Sequence, residues 1–289
     1  MKNINWSELG FGYFKTDYNV RCEYKDGKWG ELYATEDVNM NIPMASTCLH
    51  YGQEVFEGLK AFRGADGKVR LFRVEENAKR MINSGEYLKM AVPSVELFTK
   101  ACIEAVKLNA DYIPPYGSGA SLYLRPMLIG VGPQVGVKPS ADYLFAVFVT
   151  PVGPYYKDGF NCIKVIIDYD HDRAAPKGTG HVKVGGNYAA SLDSGEIAHQ
   201  KGFASVIFLD PATKQYIDEC SAANFFGIRD GKYITPDSHS VLPSITNKSL
   251  RQIAEDLGLK VEQRKVGVEE LPTFSEAGCC GTAAVISPI

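Results

Sequence analysis

The chain has 289 residues, 45% of them hydrophobic and 22% charged, and a formal net charge of −3. That length suffices for two domains or one large one with a sizeable core. A near-neutral balance without a block of like charge excludes nucleic acid or an anionic membrane as the main partner, and no apolar run approaches a membrane span.

In chain order, Met1-Lys2-Asn3-Ile4-Asn5-Trp6 does not read as a signal peptide. Lys25-Asp26-Gly27-Lys28 and Ala65-Asp66-Gly67-Lys68, each flanked by β-prone residues, predict hairpin turns. A helix is predicted over 75–90, with Ala78, Met81, Ile82 and Leu88 at helical spacing. A second follows Pro93-Ser94, with Ser94 as N-cap and a stripe of Leu97, Phe98, Ala101, Cys102, Ala105 and Leu108. The apolar runs 121–130 and 143–150 read as strands buried on both faces.

Pro151-Val152-Gly153-Pro154-Tyr155-Tyr156-Lys157-Asp158-Gly159 carries linker punctuation. The expected organisation is a small domain over 1–151, a loop over 152–160 and a larger domain over 161–289, both mixed α/β with a site between them. In the second half, strands are predicted at 162–168 and 204–209, with a hairpin around Arg229-Asp230-Gly231-Lys232. Residues 187–200 are rich in helix formers, and a further helix over 246–257 carries Leu250, Ile253, Ala254 and Leu257 on one face. Seven scattered cysteines, odd in number and without metal-ligand spacing, predict a reduced, cytoplasmic protein with mainly structural thiols and no metal. Cys279-Cys280 reads as a buried pair of small hydrophobes.

The chemistry concentrates in five segments. His181-Val182-Lys183-Val184-Gly185-Gly186-Asn187-Tyr188 sets a lysine at a loop-to-helix junction, before glycines that let the backbone approach a ligand. A lysine amine with an accessible lone pair can form a Schiff base with a carbonyl. In Ile217-Asp218-Glu219-Cys220-Ser221-Ala222-Ala223-Asn224, a carboxylate ends a strand and is a candidate acid for a pyridinium nitrogen; alone it would read as a solvated turn carboxylate. Leu242-Pro243-Ser244-Ile245-Thr246 precedes a helix whose amino end favours an anion, although plain capping by Ser244 or Thr246 explains the pattern as well. Gly281-Thr282-Ala283-Ala284 offers a hydroxyl and consecutive amides, and Arg80 is a helical cation able to complete a phosphate clamp or simply to face solvent.

Taken in order, these segments resemble the branched-chain amino acid aminotransferases, members of the fold type IV group of pyridoxal phosphate enzymes. The resemblance also covers Tyr51-Gly52-Gln53-Glu54-Val55-Phe56-Glu57-Gly58, Ser121-Leu122-Tyr123-Leu124-Arg125-Pro126 and Pro151-Val152-Gly153-Pro154-Tyr155. It implies a small α/β domain, a larger pseudo-barrel domain, and homodimers with shared sites. Lys183 would carry the cofactor, Tyr188 would bond its phenolic oxygen and Glu219 its ring nitrogen. Arg80, Leu242, Ile245, Thr246 and Thr282 would belong to its cradle, mostly at the phosphate. Phe56, Gly58, Tyr123, Arg125, Tyr155, Ala283 and Ala284 would line the substrate pocket, with Tyr51 and Val137 reaching across from the partner subunit.

The implied reaction is transamination of L-leucine, L-isoleucine and L-valine with 2-oxoglutarate, in ping-pong order, with Lys183 as general base. Size discrimination by one methylene is worth only ~1–3 kcal/mol, so all three branched substrates are expected. D-amino acid aminotransferase and aminodeoxychorismate lyase share the fold and stand as alternatives, which Tyr123-Leu124-Arg125 and the 51–58 segment disfavour. A non-catalytic vitamin B6-binding protein is the alternative from another class, disfavoured by the joint presence of base, ring-nitrogen acid and phosphate residues. Mammalian relatives carry a C-x-x-C redox pair where this chain has Ala284 and Ser287, so no thiol switch of that type is expected. The chain stops at Ser287-Pro288-Ile289 where family members usually continue.

Overall fold

The structure, a computed structural model, describes residues 2–155 and 161–289. Contacts divide the chain into two compact units, Met1–Lys157 and Asp158–Ile289. Most of the expected linker segment, 156–160, lies outside the described residues.

The first unit holds β1 (Asn19–Lys25), β2 (Lys28–Trp29), β3 (Tyr33–Thr35), α1 (Thr47–Tyr51), β4 (Glu54–Phe56), β5 (Leu59–Arg63), β6 (Val69–Leu71), α2 (Val74–Tyr87), α3 (Val95–Leu108), β7 (Ser121–Gly130) and β8 (Tyr143–Val152). Its sheet runs β2-β1-β8-β7-β5-β6, with β3 on β1 and β4 on β7. The Asp-Gly turn joining β1 and β2 has φ of 51° at Asp26 and 79° at Gly27, the double positive φ of a type I′ hairpin that matches strand twist. Ser94 caps α3 by accepting the Leu97 amide at 3.1 Å, and α2 ends at Tyr87 with Leu88 as its cap. Both helices bury one stripe against the sheet. Phe98 of α3 stacks on Phe145 of β8 at 5.8 Å, both fully buried, so truncating either ring to alanine would cost about 3–5 kcal/mol.

β7 pairs with β8 along its whole length, from Ser121↔Val152 to Gly130↔Tyr143. That pairing carries β8 through Pro151 and Val152, so the strand outlasts the run read from the sequence. The proline sits near the strand end, where its missing amide costs least.

The second unit holds β9 (Val165–Asp168), α4 (Gly185–Ala189), α5 (Leu192–Gln200), β10 (Ser205–Leu209), β11 (Ile217–Cys220), β12 (Ala223–Arg229), β13 (Lys232–Pro236), α6 (Ile245–Asp256), β14 (Lys260–Arg264), β15 (Glu276–Gly281) and β16 (Val285–Pro288). Its sheet runs β14-β13-β12-β11-β10-β9, with β15 joining β12 and β16. The parallel pairs β9–β10 and β13–β14 lie at the two ends of that order, joined by the α4–α5 and α6 crossovers. β9 begins three residues later than its apolar run suggests.

Two helical expectations change. Residues 187–200 do not form one helix. Ser191 turns its hydroxyl back onto the Tyr188 carbonyl at 2.8 Å, a local bond that competes with helix continuation and separates α4 from α5. On α6, Ala254 is buried but Ile253 and Leu257 are exposed, so the apolar stripe only partly faces the sheet. No described helix is long and apolar enough to cross a membrane.

Acid lability is built into the β14 edge. Glu270 accepts from Arg264 at 2.7 and 2.8 Å and from Arg229 at 3.0 Å. Pairing with Arg264 above all pulls its carboxyl from 4.5 to about 2, against a smaller opposing effect of burial. The folded-state value lies below the unfolded one, so this stabilisation is complete above about pH 4.5 and fades as the pH falls toward 2. Allowing for solvent screening of a partly exposed cluster, it is worth about 2 kcal/mol. Glu270→Gln should therefore lower the urea midpoint at pH 7 and flatten its decline between pH 4.5 and pH 2. An unchanged acid limb would assign that decline to other carboxylates.

Candidate active site

Three strands of the second unit deliver the chemistry. β11, β13 and β15 all run antiparallel to β12, hence in a common direction, with their carboxyl ends at one edge of the sheet. β11 ends in Glu219-Cys220, β13 leads to the start of α6, and β15 ends at Gly281, ahead of the Thr282-Ala283-Ala284 turn. The register Glu219↔Asn224↔Cys280 sets the carboxylate two strands from that turn.

Glu219 is 3% exposed, so it is not a solvated turn residue. Its Oε1 receives Arg173 Nη2 at 2.5 Å and the Leu242 amide at 3.4 Å, while Oε2 receives Asn224 Nδ2 at 2.9 Å. Burial pushes the carboxyl above the usual carboxylate range, and Arg173, the Leu242 amide and Asn224 oppose that push. Arg173 was not singled out in the sequence. Its guanidinium also donates to the Gly180 and Ser240 carbonyls, tying the Lys183 loop, the β11 carboxylate and the approach to α6 together.

Lys183 Nζ donates to Tyr188 Oη at 2.5 Å. The loop before it is held by Asn187, which is buried and donates to the Thr179 and Val182 carbonyls at 2.7 and 3.0 Å, while the Thr179 hydroxyl donates back at 2.7 Å. Gly180 passes so close to Ser240 that a Cβ there would strike its backbone. At α6, Ser244 does cap the helix, accepting the Asn247 amide at 3.1 Å. Among the described residues no acceptor takes the amides of Ile245 or Thr246, which leaves two N–H groups at the positive end of a helix dipole.

A second cluster lies in the first unit. Arg125 spans the rings of Phe56 and Tyr123, at 4.7 and 5.4 Å from their centroids, and its Nη2 donates to Tyr123 Oη at 3.1 Å. Phe11, missed in the sequence, packs edge-on against both Tyr123 and Tyr155 at 5.2 Å. Gly58 faces the Tyr123 phenol, and an added Cβ would collide with its oxygen. Gly58→Ala should therefore displace the buried Tyr123 ring, costing about 1–3 kcal/mol of stability, and cut kcat/KM at least about tenfold; unaltered kinetics would place Tyr123 outside the substrate's reach. Arg80 is not on a solvated face either: its Nε and Nη2 engage the wholly buried Glu57 at 2.8 and 2.7 Å. Tyr51 donates to the Val135 carbonyl, and Val137 is 85% exposed.

A lysine amine beside a phenol, a buried carboxylate and a helix amino end with two open amides fit a phosphorylated pyridine aldehyde. Residues 54–289 match the amino-transferase class IV family. The chain belongs to the class IV aminotransferases. It is 52% identical to the branched-chain-amino-acid aminotransferase of Haemophilus influenzae, over all of this chain and 86% of that one. Among solved structures it is similar to the branched-chain amino acid aminotransferase of Escherichia coli, with a TM-score of 0.78 and 30% identity over 95% of this chain and 85% of that one. It is also similar to a second solved branched-chain amino acid aminotransferase, from T.th., complexed with N-(5′-phosphopyridoxyl)-L-glutamate, with a TM-score of 0.77 and 27% identity over 96% and 86%. This class IV enzyme is a transaminase of mixed α/β fold with pyridoxal phosphate as its cofactor.

Proposed function

We propose that this transaminase exchanges the amino groups of L-leucine, L-isoleucine and L-valine with 2-oxoglutarate. The observation that carries the reading is the Glu219 site: an ion-paired, buried carboxylate on the same sheet edge as the open amides of α6. The identity to branched-chain enzymes over the full chain supports the substrate class.

Bound pyridoxal phosphate supplies an aldehyde that condenses with amines and a ring that accepts the electron pair left at Cα. Lys183 would be the base that takes the Cα proton of the substrate and delivers it across the amino nitrogen to the former aldehyde carbon. Tyr188 orients the Lys183 amine, and Glu219 holds the proton on the ring nitrogen. The Ile245 and Thr246 amides, the Thr282 hydroxyl and Arg80 bind the phosphate, with Leu242 packed beside them. Phe56, Gly58, Tyr123, Arg125 and Tyr155 receive the side chain, helped by Ala283 and Ala284, and the aromatic faces with polar edges suit both a branched alkyl group and a distal carboxylate.

We assign the working form to a homodimer in which Tyr51 and Val137 serve the partner's site; the exposure of Val137 supports this. Seven free cysteines suit a reducing, cytoplasmic setting. The test is the visible spectrum of the protein with pyridoxal phosphate, before and after L-leucine without any oxo acid. Bleaching of the yellow band with release of the 2-oxo acid is the expected result. A bound band that responds to D-alanine instead would move the enzyme to D-amino acids, and one that responds to neither would make it a carrier.

A further inference from the structure

Beyond the ring-nitrogen acid lies a buried polar chain that the reaction scheme does not use. Asn247, in the first turn of α6 and 6% exposed, donates through Nδ2 to Asn224 Oδ1 at 3.1 Å and to Thr235 Oγ1 at 2.8 Å. Its Oδ1 accepts from Tyr233 Oη at 2.9 Å. Asn224 in turn donates to Glu219 Oε2 at 2.9 Å and to the Leu242 carbonyl at 3.1 Å. The Thr235 hydroxyl is consumed by the Phe225 carbonyl at 2.8 Å.

The direction of this chain is fixed by one end. An ionised Glu219 can only accept, so Asn224 must turn its amide nitrogen toward it and its oxygen toward Asn247. Asn247 must then offer nitrogen to Asn224, which leaves its oxygen for the Tyr233 phenol. Phenol, amide and amide therefore all point their dipoles at the carboxylate, in surroundings where buried hydrogen bonds polarise one another. The same Asn247 sits one residue after the open amides of Ile245 and Thr246.

We propose that Asn247 is a positioning residue of the cofactor site: through Asn224 it orients and charges the Glu219 carboxylate, and through the first turn of α6 it keeps the phosphate-binding amides in register with it. This rests on reading the Glu219 edge as the pyridoxal phosphate site. Asn247→Asp preserves shape but removes both donors, so Asn224 must turn its oxygen toward Glu219. Tyr233→Phe removes only the terminal donor and leaves every other member in place.

The experiment uses holoenzyme reconstituted with cofactor labelled with 15N at the ring nitrogen, and reads that resonance together with the cofactor dissociation constant. Asn247→Asp should move the resonance toward the unprotonated position and weaken cofactor binding about tenfold. Tyr233→Phe should move it the same way by less, and it decides alone if the aspartate variant does not fold. A variant that keeps the parent's resonance overturns the proposal, even where its thermal midpoint falls, because a purely structural role would lower stability without changing the ring nitrogen. A parent protein that bleaches normally with L-leucine while the variants keep its resonance overturns this inference alone; a parent that fails to bleach overturns the transaminase reading beneath it.

Discussion

Lys183→Ala is expected to retain less than about 1% of turnover with L-leucine and 2-oxoglutarate, while still binding pyridoxal phosphate. Loss of a general base alone costs about 10²–10⁴ in rate, and in the proposed site the same residue would also carry the cofactor. Binding should persist because the Glu219 carboxylate and the α6 amides do not depend on Lys183. Its loop should also persist, since Asn187 anchors it through backbone carbonyls rather than through the lysine side chain. Steady-state assays beside a cofactor titration check both halves. Activity above a few per cent would remove Lys183 from the catalytic role.

The second large effect separates charge from packing at Glu219. Glu219→Gln keeps the shape of the side chain and one acceptor for Arg173 but takes away its counter-charge, so it should cost stability, though less than full truncation does. In the proposed site it removes the negative charge that would hold a proton on the ring nitrogen, and kcat should fall about 10²–10³-fold, roughly 3–4 kcal/mol of barrier. Glu219→Ala leaves Arg173 as a buried charge without its carboxylate, which costs about 3–5 kcal/mol. The pair of variants should therefore diverge in urea midpoint while both lose activity. Equal stability of the two would mean that Arg173 is satisfied by the Gly180 and Ser240 carbonyls alone.

What the sequence discloses is what short-range chemistry dictates. Asp26-Gly27 and Asp230-Gly231 specify their hairpins because few other residue pairs accept two successive positive φ values. The runs at β7 and β8 show no alternation because both faces are covered, and Ser94 caps its helix with a bond spanning three residues. Lys183, Glu219 and the 244–246 turn are visible as an ordered pattern. Arg173, Asn224 and Asn247 are not, because each gains its role from a partner brought near by strand pairing. Arg173 meets Glu219 only after β9, β10 and β11 have aligned. The split between α4 and α5 was hidden for a subtler reason: serine suits a helix end or a mid-helix back-bond equally well in a one-dimensional pattern.

The lysine sits on residues 169–204, the crossover joining the parallel strands β9 and β10. Closing so long a connection is entropically slow, and until it closes the amine has no fixed direction. The cofactor can then recognise only chains that have already completed this closure. Pyridoxal phosphate should accordingly leave the refolding rate untouched and slow unfolding, acting as a latch on the finished protein and not as a template for its assembly.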